Sequence, residues 1–199
     1  MKVLIACEFS GIVREAFKAK GHDAWSCDLL PTEIPGKHIQ DDVLNHLDAG
    51  WDLMVAHPDC TYLTVTGNKW MKPEYKSRFP NRIQQRQKAI EFFMTLVNAP
   101  IKHICIENPV GIMSTIYKKP SQIIQPYQFG HKEPKKTCLW LKNLPKLEPT
   151  NNVEPEYFIS KSGKRLASWY YIPSYSQERQ KTRQRTFQGI AKAMADQWR

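Results

Sequence analysis

The chain has 199 residues, 41 % of them hydrophobic, which is enough for one sizeable core and short for two. Its net charge of +10 is one-sided, since residues 1–68 carry 5 Lys/Arg against 10 Asp/Glu while residues 69–199 carry 24 against 9. Five cysteines without a CxxC pair argue against a disulfide framework or a zinc site and suit a reducing cytoplasm, and the N-terminal apolar run is too short for a signal peptide or a membrane span.

Residues 2–7 predict a buried strand, followed by a turn over 8–11 and a helix over 12–20 on the spacing of Ile12, Val13, Ala16 and Phe17. A second strand over 23–27 ends at Asp28. Strand, glycine turn, helix, strand and acid is the layout of a nucleotide-binding unit, in which backbone N–H groups approach the ligand and the acid takes ribose hydroxyls. Residues 29–40, rich in Pro and Gly, predict a loop, and Asp41 and Asp42 open a short helix to residue 49. Asp42 therefore also reads as an ordinary helix cap.

The stretch 51–67, WDLMVAHPDCTYLTVTG, organises the chain. A strand over 52–56 runs into a loop carrying His57, Pro58, Asp59 and Cys60. Ligands of open α/β sheets gather where strands end. A cysteine held there is a candidate nucleophile; its bland reading is a small apolar core residue. Residues 64–82 lack periodicity and interleave Lys69, Lys72, Arg78 and Arg82 with Trp70, Tyr75 and Phe79, which suits contacts to phosphates and bases or a closing lid. A helix over 83–98 turns Ile83, Ile90, Phe93, Leu96 and Val97 inward and stops before Pro100. A strand over 102–106 then delivers Glu107 to the sheet edge that holds Cys60, if the strands are parallel. Burying a lone carboxylate is expensive, so Glu107 is expected to point into the same cleft.

After Gly111 the chain reads as irregular, with Lys132, Lys135 and Lys136 just ahead of a strand over 137–141. Residues 142–182 form an aromatic and basic insertion containing Lys164 and Arg165, expected to be a compact binding loop or hairpin. Arg183 and Arg185 precede a last helix over 185–198 that packs Phe187, Ile190, Ala191, Met194 and Trp198.

Taken in order, these motifs resemble those of DNA (cytosine-5) methyltransferases, in particular small phage-type cytosine methylases. Residues 5–11 stand at the cofactor turn, DLMVAHPDCTYLTVTG at the nucleophile loop, ICIENPVG at the Glu-Asn-Val strand, PYQFGHKEPKKTCLWLKNL at the basic turn and strand, and RTFQGIAKAMADQWR at the last motif. The resemblance implies a Rossmann-like S-adenosylmethionine-dependent methyltransferase fold, a mostly parallel sheet with helices on both faces. It implies one domain, with a basic loop over 64–82 and the insertion about 142–182 in place of a target-recognition domain.

In that family a thiolate adds to C6 of cytosine so that C5 can take the methyl group, a role that falls to Cys60. Glu107 would hydrogen-bond N3 and the exocyclic amine, and Lys135 or Lys136 would lie near O2 where the family has arginine. Phe9, Ser10, Gly11, Asp28, Asp42, His57 and Pro58 fall at the S-adenosylmethionine site. Lys69, Trp70, Lys72, Arg78, Arg82, Lys164, Arg165, Arg183 and Arg185 would contact DNA, either single-stranded or with low sequence specificity. The implied setting is the cytoplasm of a bacterial or phage-infected cell. Asp59 replaces the family's proline before the nucleophile. A second reading is a degenerate methyltransferase-like factor that binds DNA or protein without catalysis; a third is Cys60-dependent modification of a nucleotide or RNA with another donor.

Overall fold

Period-2 alternation inside the apolar runs decides the architecture. In the computed structural model, which describes residues 1–160, 162–167 and 185–198, strand β1 (Lys2–Ala6) sends Val3 and Ile5 to one face and Leu4 and Ala6 to the other. Strands β4 (Leu53–Ala56) and β5 (His103–Pro109) repeat the pattern, Leu53, Val55 and Cys105 against Met54, Ala56, Ile104 and Ile106. A strand apolar on both faces needs cover on both. Helices α1 (Ile12–Ala19) and α4 (Gln188–Gln197) cover the first face, and Phe93 and Leu96 of α2 (Arg82–Val97) cover the second.

The seven-stranded sheet runs β3 (His38–Gln40), β2 (Asp23–Asp28), β1, β4, β5, β7 (Thr137–Lys142), β6 (Gln122–Ile124). β3, β2, β1, β4 and β5 are mutually parallel, and β7 alone is antiparallel to its neighbours β5 and β6. This is a Rossmann-like α/β fold, mostly parallel with helices on both faces. The direction of strand addition reverses between β1 and β4, where such sheets open a ligand crevice at the carboxyl ends of the strands. The register pairs Ala6 with Ala56 and Ala56 with Ile106, so residues 7, 57 and 107 follow at one level of the sheet.

Several expectations need correction. The loop expected over 29–40 ends in β3, a short edge strand paired to β2 through Ser26–His38 and its neighbours. The helix expected over 41–49 is one 3-10 turn, Val43–His46, because Trp51 draws the chain inward through its indole N–H to the His46 carbonyl. The irregular stretch after Gly111 holds a one-turn helix α3 (Met113–Ile116) and β6. Glu107 and Asn108 lie inside β5 rather than beyond it, since β7 extends the pairing to Pro109. Ile83, in the first turn of α2, is 69 % exposed and not inward; the buried residues of the helix, Phe93 and Leu96, lie in its C-terminal half. Of the insertion about 142–182, the described part includes a two-residue hairpin of β8 (Phe158–Ile159) and β9 (Arg165–Leu166).

Candidate active site

The turn after β1 is built on a buried carboxylate. Cys7 takes φ 58° and Gly11 φ 76°, and between them the chain folds Glu8 back beneath α1. Glu8 accepts the Val13 and Arg14 N–H groups at 2.7 and 3.3 Å and the Ser10 hydroxyl at 3.1 Å, so the helix start is capped from inside. Arg14, wholly buried, donates to Ser26 Oγ at 2.9 Å, Thr32 Oγ1 at 3.2 Å and the Ile34 carbonyl at 2.5 Å, which pins the chain between β2 and β3 against α1. Neither role was legible in the sequence. Phe9 faces the crevice, whereas Ser10 and Gly11 lie beneath it.

A cavity of about 1990 Å³ opens at the carboxyl ends of β1, β4 and β5. Cys60, Glu107, Lys135 and Lys136 all line it, as do Phe9, Asp28, Asp42, His57 and Pro58. Of the proposed nucleic-acid contacts, Lys69, Trp70, Arg82, Arg165 and Arg185 line it, while Lys72, Arg78 and Lys164 lie outside its wall and Arg183 lies outside the described residues.

Two ties hold the loop that carries Cys60 to the end of β5. Asn108, buried, donates its Nδ2–H to the Pro58 carbonyl at 2.8 Å. Leu63 and Thr64 then lie against residues 110–112, with a bridge between Thr64 and Gly111 and the Ile112 N–H on the Leu63 carbonyl at 2.9 Å. A Cβ on Gly111 would sit 2.2 Å from that carbonyl oxygen, so only glycine permits the approach. Helix α2 adds a third tie: Arg86 Nε–H donates to the Tyr62 carbonyl at 2.9 Å and Arg82 to the Thr61 carbonyl at 3.3 Å. Asp59 Oδ1 accepts from both the N–H (3.0 Å) and the hydroxyl (2.7 Å) of Thr61, so it shapes the turn that follows Cys60.

Beside this loop, His57 Nδ1 lies 2.9 Å from Glu107 Oε2, with the side chains only 7 % and 14 % exposed. Burial pushes the Glu107 carboxyl up, but the His57 hydrogen bond and the charges of His57 and Lys135 outweigh it and leave the group below its ordinary 4.5.

Charge is divided within the cavity. At the β1–β2 end, burial and then the carboxylates of Asp28, Asp42 and Asp59 push the Cys7 thiol far up, and burial, opposed by the Asp41 carbonyl, lifts Cys27 to about 11. Burial raises the Asp28 carboxyl too, against the pull of the Leu30 N–H and the His38 ring. Asp42 Oδ1 accepts the Leu44 N–H at 3.0 Å and so does cap its 3-10 turn. The opposite wall is basic and aromatic. Trp70 packs edge-on against Tyr75 and Phe79 at 5.0 and 5.3 Å, with Lys69 Nζ 4.3 Å from its ring centroid. The Arg82 guanidinium lies 5.1 Å from the Tyr62 ring centroid and 5.6 Å from that of Phe79. Arg185 is engaged with the Glu33 carboxylate at 2.9 and 2.7 Å and fastens the last segment to the edge of the acidic end.

No protein-family model matches the chain, and no curated protein matches it. Among solved structures it is similar to a protein described as a candidate DNA modification methyltransferase encoded within a prophage (E. coli). The two share 13 % identity with a TM-score of 0.47, over 76 % of this chain and 51 % of that one. The chain thus spans about half the length of that protein.

The chemistry available follows from the residues themselves. A thiol and a carboxyl–imidazole pair line one cavity, together with acidic residues and with cationic and aromatic ones. The acidic end, with Phe9 and the largely exposed Leu29 beside Asp28, suits a ligand that is cationic and partly apolar. The sulfonium of S-adenosylmethionine and its adenine meet that description, so the residues present fit the group.

Proposed function

We propose that this protein transfers a methyl group from S-adenosylmethionine to C5 of cytosine in DNA by way of a Cys60 adduct at C6. The observation that carries the reading is the delivery of Cys60 and Glu107 to one cavity from adjacent parallel strands, with the Asn108–Pro58 tie between them. The cavity volume, about 1990 Å³, exceeds the roughly 300–1,000 Å³ of a one-ligand pocket, so it has room for a donor and an extruded base together.

S-adenosylmethionine supplies an electrophilic methyl group on a sulfonium. Phe9, Asp28, Asp42 and Pro58 would hold it at the acidic end. Cytosine C5 is a poor nucleophile, and addition of the Cys60 thiolate to C6 makes it a better one. Charge then develops toward N3, where a hydrogen bond from Glu107 would neutralise it, and Lys135 would favour negative charge at O2. Lys69, Trp70, Arg82 and Arg165 would receive the strand through phosphate contacts and stacking, with Lys72, Arg78 and Lys164 at its margins. With so little chain between β7 and α4, sequence selection is expected to be weak, or the substrate single-stranded.

The test is incubation with DNA containing 5-fluorocytosine and methyl-labelled S-adenosylmethionine. A labelled protein–DNA adduct that survives denaturation is expected with the native chain and is lost in Cys60→Ser, which should still bind DNA. Absence of both adduct and methyl incorporation into ordinary DNA, with donor and DNA bound, would overturn the reading.

A further inference from the structure

His57 has no role in the thiol addition proposed above, yet it lines the same cavity as Cys60. Its side chain is 7 % exposed, its Nδ1 is 2.9 Å from Glu107 Oε2, and its Nε2 has no hydrogen-bond partner among the described residues although the residue lines the cavity. A polar atom left unmatched at that depth costs stability, which a packing residue has no reason to bear. Glu107 raises a second question. It is flanked by His57 at the end of β4, by Lys135 ahead of β7, and by the thiols of Cys105 and Cys138 on β5 and β7. The two cationic neighbours favour its ionised form. An ionised carboxylate can accept from the exocyclic amine of cytosine but has no proton for N3.

We propose that His57 is the proton partner of Glu107, the imidazole and carboxyl together holding one proton that Glu107 lends to N3 of the target cytosine while Cys60 bonds to C6. The inference rests on the methyl-transfer reading above. The steps balance. As the Cys60 sulfur forms its bond to C6, the C5–C6 π electrons shift toward N3. The O–H bond of Glu107 breaks and an N3–H bond forms, leaving a carboxylate beside a neutral imidazole that donates from Nδ1. When the adduct collapses the proton leaves N3 and returns to the pair. His57 is thus a positioning residue and proton reservoir, and Glu107 remains the group that touches the base.

The experiment compares native protein with His57→Asn and His57→Ala in single-turnover methyl transfer between about pH 5 and 9. Asn keeps an N–H donor toward Glu107 but cannot titrate. At saturating donor, His57→Asn is expected to bind DNA with native affinity, to lose roughly 100-fold in rate, and to lose the alkaline fall expected of the native protein. His57→Ala should be slower still and regain rate with added imidazole, which can enter the open cavity. An asparagine variant with native rate and native pH profile overturns the inference while leaving methyl transfer intact; a native chain without adduct or transfer removes both. Should the variants fold poorly, ring-nitrogen NMR of the native protein decides. A hydrogen-bonded Nδ1 proton that shifts in Glu107→Gln supports the pair, and an Nδ1 without a proton overturns it.

Discussion

Asp59 brings two opposed effects to one residue. A carboxylate next to the thiol disfavours the thiolate, while its Oδ1 organises the turn after Cys60 through both Thr61 donors. Asp59 is exposed, so water and salt screen its charge, and the turn, at about 1 kcal/mol, should weigh more. Asp59→Asn keeps an acceptor and drops the charge; it should raise the rate of Cys60 alkylation by iodoacetamide slightly and preserve methyl transfer. Asp59→Ala loses both and should be slower than Asn in methyl transfer. An alanine variant as fast as asparagine would mean that the charge, not the turn, governs the thiol. Asp28 allows a prediction with a definite sign. Burial raises its carboxyl above the ordinary 3.8, so it accepts a proton at a pH where an exposed aspartate would not. A cation bound beside it favours the ionised form and releases that proton. Donor affinity should therefore be full well above the raised value and fall as pH drops through it. Asp28→Asn should bind more weakly and lose this dependence. Calorimetry in two buffers of different ionisation enthalpy reads both the affinity and the proton release.

At the scale of elements, the site depends on how closely two loops approach. Gly111 lies against the Leu63 carbonyl, and a methyl group there must push the loop after Cys60 away from the end of β5. Gly111→Ala should cost about 1–3 kcal/mol in denaturant unfolding and most of the methyl transfer, although no reacting group is altered. A variant with native activity would show that the tie to β5 does not position Cys60. The same distinction explains what the sequence revealed. β1, β2, β4, β5 and β7 and the three longer helices were legible because apolar periodicity over several residues survives any packing detail, and the placement of Cys60 and Glu107 on one cavity was legible because both follow apolar strand runs. β3, β6 and α3, at 3, 3 and 4 residues, are too short to carry a period and exist through pairing with neighbours. The cap by Glu8 and the clasp by Arg14 were hidden for another reason. A buried charge is stable only with partners, and beside its neighbour Glu15 those of Arg14 come from Ser26, Thr32 and Ile34, which no local pattern links to it. The His57–Glu107 pair likewise needs the β4–β5 register, 50 positions apart in the chain.

Over the whole molecule, the uneven charge of the sequence becomes two poles of one cavity. Asp28, Asp41 and Asp42 stand at the β2 end, and Lys69, Arg82, Lys135, Lys136 and Arg165 line the rest of the cavity. The poles should answer salt differently. A strand laid on the basic wall displaces condensed counterions, so its affinity falls with a log–log slope of about −0.7 for each phosphate contacted on a single strand and about −0.9 on a duplex. Three to five contacts from that wall predict a slope of roughly −2 to −4. The donor carries a single sulfonium charge into a partly buried acidic crevice, where screening is weaker and no polyelectrolyte is involved, so its affinity should change little over the same range. Fluorescence anisotropy of a labelled oligonucleotide and calorimetry with S-adenosylmethionine, both from about 50 to 300 mM salt, measure the two slopes. Lys69→Ala should make the first shallower by about one contact and leave the second alone. If donor binding has the steeper slope, or if oligonucleotide binding ignores Lys69 and Arg165 alike, then the polyanion lies elsewhere on the surface, and the wall beside Cys60 does not receive the strand that carries the target base.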